Sequence, residues 1–177
     1  MLNTLPYDQE IIFVDDGSSD DSATMLGHIA AEDKDVKVLL LARNFGHQLA
    51  LTCGLDYSTG DAVITMDGDM QHPPELIPEL VRLWEEGHDV VRTIRDSTED
   101  AGWAKSFTSK YYYKLMNIMA NVPIVEGGSD FRLMNRRALD TLLRFREHGR
   151  FLRGIVGAIG YNQAEIHFVA PPRFRQS

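Results

Sequence analysis

The stretch DAVITMDGDMQHPPELIPELVRLWEEGHDVVRTI, residues 61–94, decides the fold. It opens with DAVITMD, a short apolar run ending in acid, as expected of a buried strand. PPELIPELVRLWEEG (73–87) then reads as a helix, with proline at its start and Gly87 at its end. DVVRTI (89–94) is a second strand. The same alternation continues upstream. EIIFVDD (10–16) and VKVLLLA (36–42) read as strands. GSSDDSATMLGHIAAED (17–33) reads as a turn and helix, with Ser18 or Ser19 as N-cap and Asp20 and Asp21 at the positive end of its dipole. HQLALTCGLDYSTG (47–60) is a helix closed by Gly60. Downstream, a polar loop leads into a long amphipathic segment, AKSFTSKYYYKLMNIMANV (104–122).

This rhythm predicts an α/β fold, a mostly parallel sheet with helices on both faces, within a single domain over 1–177. In such sheets ligands sit at the carboxyl ends of the strands. Two acidic turns, VDDGSSD and MDGDMQ, fall at those ends.

Bulk composition narrows the function. A length of 177 residues suits one core-bearing domain, and 44% hydrophobic with 25% charged residues is ordinary for a soluble protein. A formal charge of -8 argues against a general nucleic-acid binder. The single cysteine, Cys53, excludes an intrachain disulfide and fits a reducing compartment. No apolar run approaches the ~20 residues that span a bilayer, so this chain is expected to be soluble or peripheral.

Asp67 and Asp69 have no lysine or arginine within a dozen residues on either side, so a cation from outside the chain is the natural partner. If strand geometry persists through DGDMQ, Asp67, Asp69 and Gln71 point the same way. Three oxygen donors without thiolate or imidazole suit a hard ion, Mg²⁺ or Mn²⁺. Such ions are usually completed by substrate phosphates, which points to a diphosphate-bearing substrate. The competing reading is that the aspartates end a strand and cap the next helix. No Walker loop, dinucleotide fingerprint or esterase elbow is present, and the six histidines show no zinc-ligand spacing.

Together, IIFVDDGSSDDS, LLLARNFGHQLALTCGLDYSTGDAVITMDGDMQHPPELIPEL and GGSDFRLMNRRAL resemble the family 2 inverting glycosyltransferases of GT-A fold. The resemblance is to the branch that moves a sugar onto a polyprenyl phosphate, and it runs from about Glu10 to Ser177. It implies a sugar nucleotide donor, UDP- or GDP-linked, a polyprenyl phosphate acceptor, and transfer with inversion at C1. By the same resemblance Asp15, Asp16, Arg43 and Asp67 contact the nucleotide, and Asp67, Asp69 and Gln71 hold the metal. Asp130 matches the proposed catalytic aspartate, beside the tight-turning Gly127 and Gly128. An Asp–Arg pair with Arg132 or Arg136 is the alternative for Asp130. Arg95, Lys105, Ser109, Arg173 and Arg175 correspond to acceptor-phosphate positions, where a guanidinium fork suits phosphate oxygens. Phe107, Tyr111, Tyr112, Tyr113 and Leu115 fit either a lipid headgroup region or half-buried core.

Ser129 departs from the threonine-glycine-aspartate pattern of many relatives. The resemblance further implies that a first β-α unit carrying V-x-P-x-x-N-E is missing and that C-terminal membrane helices follow in the parent protein. It would then work at the cytoplasmic face of the membrane, with self-association allowed. Loss of that unit is expected to expose a sheet edge. Two alternatives stand beside this reading: a soluble relative acting on a saccharide or protein hydroxyl, and an inactive nucleotide-binding or assembly fragment.

Overall fold

A computed structural model of the chain describes residues 5–96, 128–145, 156–157 and 159–169. In chain order the elements are β1 (Ile11–Asp15), α1 (Ser22–Glu32), β2 (Val36–Leu40), α2 (His47–Tyr57) and β3 (Ala62–Thr65). They continue with a 3₁₀ turn (Pro74–Leu76), α3 (Ile77–Glu85), β4 (Val90–Arg95), β5 (Gly128–Asn135), α4 (Arg136–Arg144) and β6 (Gln163–Phe168). The α/β class expected from the alternation is the class observed.

The strands form two sheets. β1 pairs with β2 in parallel, Ile11 opposite Val36 through Asp15 opposite Leu40. The other four run in the order β3-β5-β4-β6. β5 is antiparallel to both β3 and β4, whereas β4 and β6 are parallel. β3 and β4 therefore run parallel to each other, as their helical crossover requires, but they are not neighbours. The local alternation at 61–94 could not show that a strand some forty residues later inserts between them. β5, α4 and β6 were not foreseen as elements. Because β5 is antiparallel, its first residues lie at the same end of the sheet as the last residues of β3 and β4. That end carries the candidate site.

Alternation along β5 builds a core on each face of this sheet. Phe131 and Leu133 pack with Ile77, Leu80 and Val81 of α3. Met134 packs with Ala138, Leu139 and Leu142 of α4 and Leu55 of α2. α2 also reaches the smaller sheet: a Cβ added to Gly54 would lie 3.1 Å from Val14 Cγ2. Among the described strands, β1 is paired only with β2 and β3 only with β5. Phe13 in β1 stays exposed, as does Leu40 in β2.

Helix starts differ from expectation in two places. α1 begins at Ser22 with Asp21 at its N-cap, four residues after Ser18. Ser18 is instead drawn into the β1 turn, where its N–H donates to Asp15 Oδ2 at 3.2 Å. α3 begins at Ile77, after the 3₁₀ turn opened by Pro74. Gly87 ends it at φ 97°, as its composition suggested.

Candidate active site

Three loops meet the start of β5 at the carboxyl end of the sheets. The first two are stitched together by the acids of VDDGSSD. The Asp16 carboxylate accepts the backbone N–H groups of Phe45 (2.7 Å) and Gly46 (2.9 Å). Gly17 adopts φ 72°, and a Cβ there would fall 2.5 Å from the Arg43 carbonyl carbon. Only glycine permits that approach. Asp15 is buried. Asp15 and Asp16 thus hold loop shape, and each carboxylate keeps lone pairs for a ligand. Arg43 lies with its guanidinium 4.6 Å from the Phe45 ring centre, a cation–π contact.

The third loop corrects an expectation. Strand geometry does not persist through DGDMQ, because β3 stops at Thr65. Asp69 Oδ1 accepts the Gln71 N–H at 3.0 Å, closing a local turn. Met70 takes φ 60°. Together they reverse the chain, so Asp69 faces solvent while Gln71 is buried. The donors presented outward are therefore two carboxylates, Asp67 and Asp69, rather than three oxygens in a row. No cluster of three or more His, Cys, Asp or Glu side chains fit for a metal occurs among the described residues. Two carboxylates still fit Mg²⁺ or Mn²⁺, provided that substrate phosphates fill most of the remaining coordination.

Two histidines that the sequence reading left unassigned complete the arrangement. His47, the first residue of α2, places Nε2 at 3.1 Å from Asp130 Oδ2 and 3.7 Å from Asp67 Oδ1. His72 closes the acidic loop from its inner side. Its Nδ1 accepts the Asp67 N–H at 3.0 Å, and its Nε2 meets Ser129 Oγ at 2.7 Å. The ring lies nearly parallel to that of Phe131, with centres 5.3 Å apart, and edge-on to Phe168.

Asp130 is 1% exposed. Its Oδ1 accepts from Arg132 Nη2 at 2.5 Å. The Asp–Arg pair weighed as the alternative is thus present, with Arg132 and not Arg136, and it is buried rather than superficial. Arg136 instead donates to the Gly60 carbonyl, at 2.6 Å through Nη2. The Thr65 hydroxyl donates to the Asp130 carbonyl, extending the β3–β5 ladder by one side-chain bond. Arg95 is exposed at the carboxyl end of β4, on the same end of the sheet. Lys105, Ser109, Arg173, Arg175 and the aromatic run at 107–115 lie outside the described residues. No helix among the described residues is long and apolar enough to cross a membrane.

The signal that could have found the histidines was adjacency. His47 directly follows the Arg43–Gly46 turn, and His72 directly follows Gln71.

Comparison with known proteins gives the family. The Glycosyl transferase family 2 profile matches residues 1–143. The chain is 40% identical over 175 residues to an uncharacterized glycosyltransferase, sll0501, of Synechocystis sp., covering 99% of this chain and 55% of that protein. It is 38% identical over 168 residues to the bactoprenol glucosyl transferase of Shigella phage SfX, covering 95% and 55% respectively. The chain thus spans about half the length of the curated relatives it matches. Among solved structures, the mannosyltransferase PcManGT from Pyrobaculum calidifontis, in complex with GDP-Man and Mn²⁺, superposes with a TM-score of 0.62 at 15% identity. That likeness covers 99% of this chain and 51% of the mannosyltransferase. Glucosyl-3-phosphoglycerate synthase from Mycobacterium tuberculosis superposes with a TM-score of 0.52 at 20% identity, covering 93% and 61%. At these identities the structural likeness concerns the fold alone, whereas the profile covers most of the chain: this chain belongs to glycosyl transferase family 2.

Proposed function

We propose that the full-length protein carrying this chain transfers a sugar from a nucleoside diphosphate sugar to a polyprenyl phosphate, with inversion at C1. The observation that carries this reading is the bridge from Asp67 through His47 to Asp130, at 3.7 and 3.1 Å. It sets a carboxylate suited to an ion-bound diphosphate beside a buried, oriented carboxylate. The acceptor class is supported by several relatives named bactoprenol glucosyl transferase, at 37–38% identity. Use of a sugar nucleotide with a divalent ion is supported by the ligands of two structural neighbours, GDP-Man with Mn²⁺ in the mannosyltransferase and UDP-glucose with Mn²⁺ in the synthase.

In this reading Asp67 and Asp69 hold the ion, with Gln71 assigned by family resemblance. When bound, Mg²⁺ or Mn²⁺ supplies charge stabilisation for the departing diphosphate. Asp15, Asp16 and Arg43 line the nucleotide side. The acceptor phosphate is already ionised near neutral pH and needs no general base. Asp130, engaged at one oxygen by Arg132 and at the other by His47, accordingly orients rather than deprotonates. Arg95, with Lys105, Arg173 and Arg175, neutralises the acceptor phosphate, and Ser109 donates a hydrogen bond to it. In this reading the protein meets its lipid phosphate at the cytoplasmic face of the membrane.

The test is calorimetric binding of UDP and GDP to the full-length protein with Mn²⁺ and then EDTA, followed by turnover with undecaprenyl phosphate or a saccharide acceptor. Metal-dependent binding of one nucleotide and transfer to the lipid phosphate are expected. Transfer only to a saccharide hydroxyl would overturn the acceptor assignment. Failure of both nucleotides to bind would overturn the donor site.

A further inference from the structure

The acidic loop is held by a histidine that the proposed chemistry does not use. His72 is mostly buried, its side chain 9% exposed, and both of its ring nitrogens have a defined partner. The Asp67 N–H can only donate, so Nδ1 must accept it. The proton of the neutral ring then sits on Nε2, which donates to Ser129 Oγ at 2.7 Å. Ser129 Oγ also accepts the Phe131 N–H at 3.0 Å. These two contacts flank Asp130 in β5, one from the residue before it and one from the residue after it.

The clasp and Asp130 lie on opposite sides of one strand. Ser129 and Phe131 alternate with Asp130, so His72 grips β5 from the α3 face while Asp130 meets His47 on the other. Stacking against Phe131 fixes the plane of the imidazole. Asp67 is thereby fixed at its backbone, and its Oδ2 lies 3.8 Å from the same Nε2.

We infer that His72 and Ser129 are positioning residues that set the spacing between the ion-binding carboxylate of Asp67 and the carboxylate of Asp130. This rests on the ion-binding reading given above. In this inference His72 acts through the Asp67 amide and Ser129 rather than as a ligand of the ion. Groups that orient a metal ligand from outside are typically worth about 10- to 100-fold in metal affinity.

The test uses the full-length protein, Mn²⁺ as the probe, and a titration of free Mn²⁺ by electron paramagnetic resonance, with thermal midpoints recorded alongside. His72→Phe keeps a flat ring for stacking and removes both hydrogen bonds. Ser129→Ala removes one of these together with the bond from the Phe131 N–H, and Ser129→Thr restores the hydroxyl. Expected are a loss of about 10-fold or more in Mn²⁺ affinity for His72→Phe, a smaller loss for Ser129→Ala, and recovery in Ser129→Thr. An altered line shape of bound Mn²⁺ in His72→Phe would mark a moved ligand rather than a loosened fold. Wild-type affinity in both His72→Phe and Ser129→Ala overturns the inference while leaving the ion site intact. If the wild type binds Mn²⁺ no better than Asp69→Ala, the ion reading itself fails and the inference falls with it.

Discussion

His47 Nε2 stands 3.1 Å from Asp130 Oδ2, joining the first residue of α2 to a strand that begins 81 residues later. His47 is half-exposed and Asp130 is buried, so the pair reaches from the core to the surface where a ligand enters. The opposite oxygen of Asp130 is held by Arg132. One carboxylate thus fixes the orientation of one exposed imidazole.

Replacing His47 by alanine removes a partner of the site without opening the core. A hydrogen bond to a charged group contributes about 1.5–3 kcal/mol. Turnover should fall by roughly 10- to 100-fold, with the thermal midpoint little changed. Steady-state kinetics beside a melting curve will check this, and a matching loss of fold would sink it.

Asp130→Ala behaves differently. It strands the Arg132 guanidinium, whose side chain is only 4% exposed, and breaking a buried pair from one side costs about 3–5 kcal/mol. Urea denaturation should show that loss directly. A normal midpoint in the variant would mean that Arg132 finds compensation elsewhere.

Gly17→Ala tests the seam between the first two loops. The site demands φ 72° and leaves an added Cβ 2.5 Å from the Arg43 backbone. The left-handed conformation alone costs roughly 1–2 kcal/mol for an L residue, and the overlap adds to it. Lower stability together with weaker nucleotide binding is expected. Unchanged binding would separate this seam from the donor site.

Acid sensitivity should come in part from Glu10. Burial pushes its carboxyl up, but hydrogen bonds from Lys37 and Thr59 outweigh that and bring it from 4.5 down to about 2. A depressed carboxyl stabilises the fold above its unfolded value and loses that contribution as pH falls. The wild type should therefore lose stability between pH 4.5 and about 2 more steeply than Glu10→Gln. Parallel pH profiles of the urea midpoint for the two proteins would refute this.

The sequence told most where a motif sits on a local element. DAVITMD and VDDGSSD identified strand ends, and Asp15, Asp16, Asp67 and Asp69 do lie at one end of the sheets. It told least where partners come from far away. Strand periodicity at 67–71 was overridden by a turn that Asp69 closes with its own side chain. Ser129 lies 57 positions from His72, and Asp130 lies 83 from His47. No local pattern joins such pairs, so both histidines looked isolated. The insertion of β5 between β3 and β4 escaped for the same reason, since a crossover unit read alone places its two strands side by side.

That insertion governs the order in which competence is gained during synthesis. A nascent chain that has emerged only as far as β4 possesses Asp67 and Asp69 but lacks Asp130 and Ser129, and its strands β3 and β4 have an open slot between them. The Thr65 hydroxyl waits for a carbonyl 65 positions further on. Closing so long a loop is slow relative to local helix formation. Open strand edges meanwhile invite wrong pairings. The arrival of one strand therefore covers the facing edges of β3 and β4 and, in the same event, seats the acidic loop against its clasp.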